Sequence, residues 1–112
     1  MRCDKMLESV LEPVGLPVKY FEYLGTQNQY VVYNEEAEEP GNHGDNRPLS
    51  NMIWWQVHLF APKDSEFRTY KADIMKKLLD AGYMVTDVVT LYEKETKTIH
   101  VVISCHIGER EV

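Results

Sequence analysis

The side chains with chemical potential in this chain are four histidines, two cysteines and clustered carboxylates. His43, His58, His100 and His106 raise the question of a metal site. His100 and His106 fall on one face of a predicted strand, but the strand rise between them amounts to roughly 20 Å, too far for one ion. His58 can neighbour one of them across a sheet. No acidic residue or cysteine is placed with them to complete a ligand set. His43 lies in a polar segment without periodicity. The expectation is solvated or hydrogen-bonded sheet histidines, with no metal and no other cofactor.

The carboxylates occur at Glu93 and Glu95 and in the run Glu35, Glu36, Glu38 and Glu39. General acid–base work needs a carboxyl tuned by burial in a cleft, and these sit in predicted turns or loops. Cys105 and His106 are adjacent in a predicted strand and therefore point to opposite faces, so they form no dyad. A Gly-rich phosphate loop and a nucleophile elbow are both missing from the sequence. No catalytic residue is assigned, and enzymatic activity is not expected.

The elements that must position these residues follow from periodicity and punctuation. Residues 4–12 predict a short helix capped by Asp4, with Met6, Leu7, Val10 and Leu11 on one face. Pro13, Gly15 and Pro17 end it. Residues 18–23 and 29–34 predict two strands, and the turn-like Gly25-Thr26-Gln27-Asn28 between them predicts an antiparallel hairpin. Residues 35–49 have no periodicity and carry four glutamates among turn formers, which predicts a mobile acidic loop that is either solvated or ordered on a partner.

Residues 52–60 predict a third strand. Its alternation assigns Ile53, Trp55, Val57 and Leu59 to the core. The opposite face, with Met52, Trp54, Gln56, His58 and Phe60, is semi-apolar, and the first helix or another subunit is expected to cover it. Phe67, Tyr70, Ile74, Leu78 and Ala81 predict the core stripe of the main helix, capped by Asp64 or Ser65 and stopped at Gly82. Residues 83–92 and 98–107 predict a final hairpin, and 108–112 a frayed tail. The order α-β-β-loop-β-α-β-β predicts a single α+β domain over 1–112. It has a mostly antiparallel sheet of about five strands and two helices, with a folded core over 4–107.

Composition bounds the function. The chain has 112 residues, 44% hydrophobic and 27% charged, which is ordinary globular composition. A net charge of −6 argues against a surface that grips nucleic-acid backbone. A disulfide between Cys3 and Cys105 is disfavoured, since nothing marks the chain as secreted. The first residues are too charged for a signal peptide. No run approaches the ~20 apolar residues that span a bilayer. The expected location is cytoplasmic. The residues expected at an interface are Glu35, Glu36, Glu38, Glu39, Asp45, Asn46 and Arg47, in the acidic segment, and Trp54 on the exposed strand face.

Taken in order, five segments resemble the small tail-terminator, or tail-completion, proteins of long-tailed bacteriophages and prophages. They are Tyr-Val-Val-Tyr-Asn-Glu at 30–35, Gly44-Asp45-Asn46, and Trp-Gln-Val-His-Leu-Phe at 55–60. The others are Leu-Leu-Asp-Ala-Gly-Tyr at 78–83 and Leu-Tyr-Glu-Lys-Glu-Thr-Lys-Thr-Ile-His-Val at 91–101. The resemblance spans roughly residues 16–107, and the Glu-rich segment departs from the shorter loops of that family. It implies a virion structural protein without chemistry, a homo-oligomer that caps the tail tube as a hexameric ring and joins tail to head. The implied partners are tail-tube protein and head-connector protein, with no sequence-specific nucleic acid and no membrane. Residues 35–50 would then dock or face the lumen. A head-completion or connector protein, or a small α+β protein-binding module unrelated to phage, are the alternatives.

Overall fold

A computed structural model describes residues 3–40 and 50–110, with side chains over 6–37 and 52–108. The element order is α1 (Cys3–Leu11), a 3-10 turn (Glu12–Val14), β1 (Val18–Tyr20), β2 (Tyr30–Pro40), β3 (Ser50–Pro62), α2 (Phe67–Asp80), β4 (Met84–Glu93) and β5 (Thr98–Arg110). The five strands form one sheet in the order β1-β2-β3-β5-β4. β2, β3, β5 and β4 are successively antiparallel, and β1 alone runs parallel to its neighbour. The fold is therefore α+β with a mostly antiparallel sheet and two helices.

Alternation along β3 decides where the core sits. Ile53, Trp55, Val57, Leu59 and Ala61 are buried, as are their partners Ile99, Val101, Ile103 and Cys105 on β5. Both helices pack on this one face. Leu7 and Leu11 of α1 and Ile74 and Leu78 of α2 join the same cluster. The expectation that α1 would cover the other sheet face is thus wrong. α1 is too short to be stable alone, and its apolar stripe finds the shared core, where the Tyr33 hydroxyl donates to Glu8 Oε2 at 2.7 Å.

Several boundaries move for identifiable reasons. The antiparallel β1–β2 hairpin is replaced by a parallel pair, Val18 opposite Val31 and Tyr20 opposite Tyr33. Phe21 adopts a left-handed φ of 65° and turns the chain off the sheet edge. The chain then travels back past the start of β1, where the Val31 amide donates to the Pro17 carbonyl at 2.8 Å. β2 does not stop at Asn34 but continues through Glu35, Glu36, Ala37, Glu38 and Glu39 to Pro40, paired with β3 across a bulge between Glu35 and Ala37. The first part of the expected acidic loop is therefore strand, because the ladder to Trp54, Ile53 and Met52 outweighs the weak strand propensity of glutamate. Residues 41–49 of that loop lie outside the described residues. β5 likewise reaches Arg110, paired with Ser50, where a frayed tail was expected.

α2 begins after Glu66 with no side-chain cap. Ser65 Oγ donates instead to the Pro62 carbonyl at 2.6 Å. Ala81 lies past the helix end and is exposed, so the stripe closes at Leu78. Gly82 takes φ 94°, the left-handed stop expected of it. The Asp4 side chain lies outside the described set, and α1 starts before it, at Cys3. Trp55 is 1% exposed and touches helix and sheet residues alike. Trp55→Ala should lose about 3–5 kcal/mol of unfolding free energy by chemical denaturation.

Candidate functional site

The sheet face opposite the helices carries the unusual side chains. Antiparallel partners share a face, so the register places them in rows across the strands. One row is Tyr30, Phe60, His100 and Leu91. The next is Val32, His58, Val102 and Val89. Further along come Asn34, Gln56, Ser104 and Asp87, then Ala37, Trp54, His106 and Met84. Among the described residues no helix covers these rows, and the 21–29 segment lies against one end, where the Tyr23 ring stacks on Tyr30 at 4.5 Å. Gly25 passes so close to that ring that a Cβ would stand 2.1 Å from the Tyr23 hydroxyl oxygen, so a side chain there would have to displace the Tyr23 ring.

From Tyr23 the rings run on across three strands. Tyr30 stacks on Phe60 at 4.9 Å and Phe60 on His100 at 4.2 Å. His58 and His100 form a diagonal pair, with Nδ1 of His58 2.8 Å from Nε2 of His100. His58 Nε2 lies 2.9 Å from Asn34 Oδ1. The amide oxygen can only accept, so His58 carries its proton on Nε2 and its Nδ1 accepts from His100. A groove of about 290 Å³ opens over this pair, with Phe21, Glu22 and Tyr23 on its rim.

Burial lowers the pKa of His58, and the neighbouring His100 lowers it further. Burial also lowers that of His100, partly opposed by Glu93, which raises it. Both rings are neutral at pH 7, one donating to the other. Asn34, His58 and His100 thus form a hydrogen-bonded chain that ties β2, β3 and β5 together. Among the described residues no three of His, Cys, Asp and Glu converge as a metal site. Cys105 is fully buried and its thiol is pushed up to about 12 by that burial, so it stays protonated and unreactive at neutral pH.

Trp54 sits where sequence alternation puts it, on the open face, half-buried and against His106 at a ring separation of 4.3 Å. Its indole Nε1 finds no acceptor among the described residues. At this end β4 stops pairing after His106, and the sheet narrows to β2, β3 and β5. The resulting arm lies at one end of a molecule 53 Å long and 25 Å wide. Glu35 and Glu36 are exposed just before it, where β4 still pairs. The Tyr20 hydroxyl donates to Glu35 Oε1, and Gln56 Nε2 donates to Glu36 Oε2 at 2.7 Å. Glu38 and Glu39 follow in the same strand, and Glu109 stands opposite Asn51 on the far side of the arm. Asp45, Asn46 and Arg47 lie outside the described residues. The structure thus brings Glu35, Glu36, Glu38, Glu39 and Trp54 to one end of the sheet.

Sequence reasoning missed the His58–His100 contact as a definite pair, because it needs β3 and β5 to be neighbours across the intervening α2. The only signal was that His58, His100 and His106 all fall on outward positions of alternating strands. No protein-family model and no curated protein matches this chain. Among the described residues no helix is long and apolar enough to cross a membrane.

The histidines give a pH dependence with a fixed sign. Their folded pKa values lie below the ordinary histidine value of 6.5, so on acidification the unfolded chain takes up protons first. Stability is therefore full above pH 6.5 and falls as the pH drops through 6.5 towards the depressed folded values. Thermal unfolding between pH 7.5 and pH 5 should show Tm falling with pH. His100→Gln should flatten that slope, because it removes one proton-binding site and the like-charge neighbour of His58.

Proposed function

We propose that this chain is a virion assembly protein of a long-tailed bacteriophage or prophage, which caps the tail tube as a ring and joins the tail to the head. It acts by binding other proteins, without chemistry of its own. The observation that carries this reading is the two-sidedness of the sheet. One face is closed by both helices, while the other exposes Met84, Val89 and Leu91 beside the half-buried Trp54 and Phe60, in rows that another protein surface could cover. Aromatic residues on such a face mark protein interfaces more often than solvent-facing surface.

The acidic arm supports the same reading. Clustered carboxylates repel nucleic-acid backbone, which suits a surface past which DNA must move without sticking. They also suit a basic docking partner. The ordered set of sequence segments shared with tail-terminator proteins adds to this, as does a fold in which long paired strands project beyond the helices. Assembly would take place in the host cytoplasm and the product would remain in the virion.

Light scattering across a concentration series tests the reading, with negative-stain microscopy of the concentrated protein and of its mixture with tail tubes. Molar mass should rise towards that of a hexamer, and rings should be visible alone or on tube ends. A strictly monomeric chain that leaves tube ends bare would refute the proposal. Trp54→Ala should cost the monomer at most about 2 kcal/mol, because the side chain is only half-buried. It should nonetheless raise the concentration needed for assembly at least tenfold, as loss of an aromatic anchor does.

A further inference from the structure

Two edges of the sheet are open among the described residues, and the groups that flank them differ in charge. β4 is an edge strand of ten residues that among the described residues pairs with β5 alone; its own charges are Asp87 and Glu93, and the basic groups beside it come from α2. It carries exposed Met84, Val89, Leu91 and Tyr92. It lacks lysine and proline, the residues that usually protect a long edge, and a single bulge between Val85 and Asp87 interrupts it. Between β4 and α2 lies a groove of about 490 Å³ lined by Phe67, Arg68, Lys71, Ala72, Met75 and Thr90. The Arg68 guanidinium sits 5.5 Å from the centre of the Phe67 ring, and Lys71 Nζ donates to Thr90 Oγ1 at 3.2 Å. Neither cation has a carboxylate partner among the described residues. In a chain of net charge −6 they form an unneutralised basic patch over an apolar floor.

The other open edge is that of β2. β1 covers it only from Val31 to Tyr33, so from Asn34 to Pro40 its outer hydrogen-bonding groups face no described strand. This stretch carries the acidic run. The register with Trp55 and Ile53 puts positions 35 and 38 on the helix side of the sheet. On β4 the helix side is the side of Thr90, above which Lys71 and Arg68 stand. A sheet continued from β4 of one copy into β2 of the next would bring the acidic positions under the basic ones. Two β2 edges cannot pair this way, because like charges would meet.

The geometry points to a head-to-tail contact between copies of this chain, in which the acidic edge of β2 adds as a strand to β4 of the neighbour and its carboxylates pair with Arg68 and Lys71. This rests on the ring-forming role proposed above and supplies its contact. Strand addition provides main-chain hydrogen bonds, and the groove provides the charge that selects the acidic strand. Because the two surfaces differ, the contact is heterologous, and repetition closes into a ring when the rotation allows.

A charge swap tests it on the full chain. Arg68→Glu/Lys71→Glu removes the basic groove, and Glu35→Lys/Glu38→Lys reverses the acidic edge on the helix side. Either double variant alone should need at least tenfold more protein to assemble by light scattering. An equimolar mixture of the two should assemble again, because each supplies the surface the other can bind. All four changes in one chain should do the same. Wild-type assembly should weaken with added sodium chloride.

Circular dichroism melts establish that each variant folds, and Glu35→Gln/Glu38→Gln replaces the lysine variant if that one does not. Rings that form unchanged in both double variants would overturn this contact while leaving the ring reading intact. Loss of assembly only in the groove variant, with a wild-type species no larger than a dimer, would overturn it in favour of a two-fold β4-to-β4 contact. A wild-type chain that stays monomeric with and without tail tubes would overturn both readings.

Discussion

β3 is hydrogen-bonded along both of its edges, to β2 on one side and to β5 on the other, and this double pairing determines the two faces of the molecule. Its side chains alternate. Ile53, Trp55, Val57 and Leu59 are committed to the core, and Trp54, Gln56, His58 and Phe60 are committed to the opposite face. A slip of one residue would exchange the two sets. That would put a glutamine and a histidine under the helices, where no described partner waits for them. The helices, the histidine pair and the aromatic stack all presuppose the same register.

The consequence is a molecule with very different sides. Among the described residues nothing charged is buried, and every buried residue is apolar or aromatic or is Cys105. On the open face, rings stack across the strands and several polar groups bond one another, as Gln56 does Glu36 and His58 does Asn34 and His100. His58 links Asn34 of β2 to His100 of β5 and so ties three strands together without a helix above them. Such a network gives the exposed face a defined shape. A surface that has its shape before a partner arrives loses less conformational entropy on binding.

Much of this was legible in the residues. α2 follows from the spacing of Phe67, Tyr70, Ile74 and Leu78, and β3 and β5 follow from strict alternation. Trp54 was placed correctly on the face away from the core. What escaped was non-local. The spacing of two short strands does not say whether they are parallel, and the outcome turned on one residue, Phe21, taking a backbone conformation that its type disfavours. The acidic half of β2 looked like loop because glutamate is a poor strand former, yet cross-strand pairing with an apolar neighbour decided the matter. The His58–His100 contact needed the strand order itself, which periodicity cannot supply.

The bulge between Glu35 and Ala37 also decides how the glutamates are shared between the two faces. Glu35 pairs with Trp55 and Glu38 with Ile53, so two positions three apart in sequence stand on the same side of the sheet. In an unbroken strand positions three apart point to opposite sides. One extra residue in β2 therefore brings a second carboxylate position to the helix side of the strand.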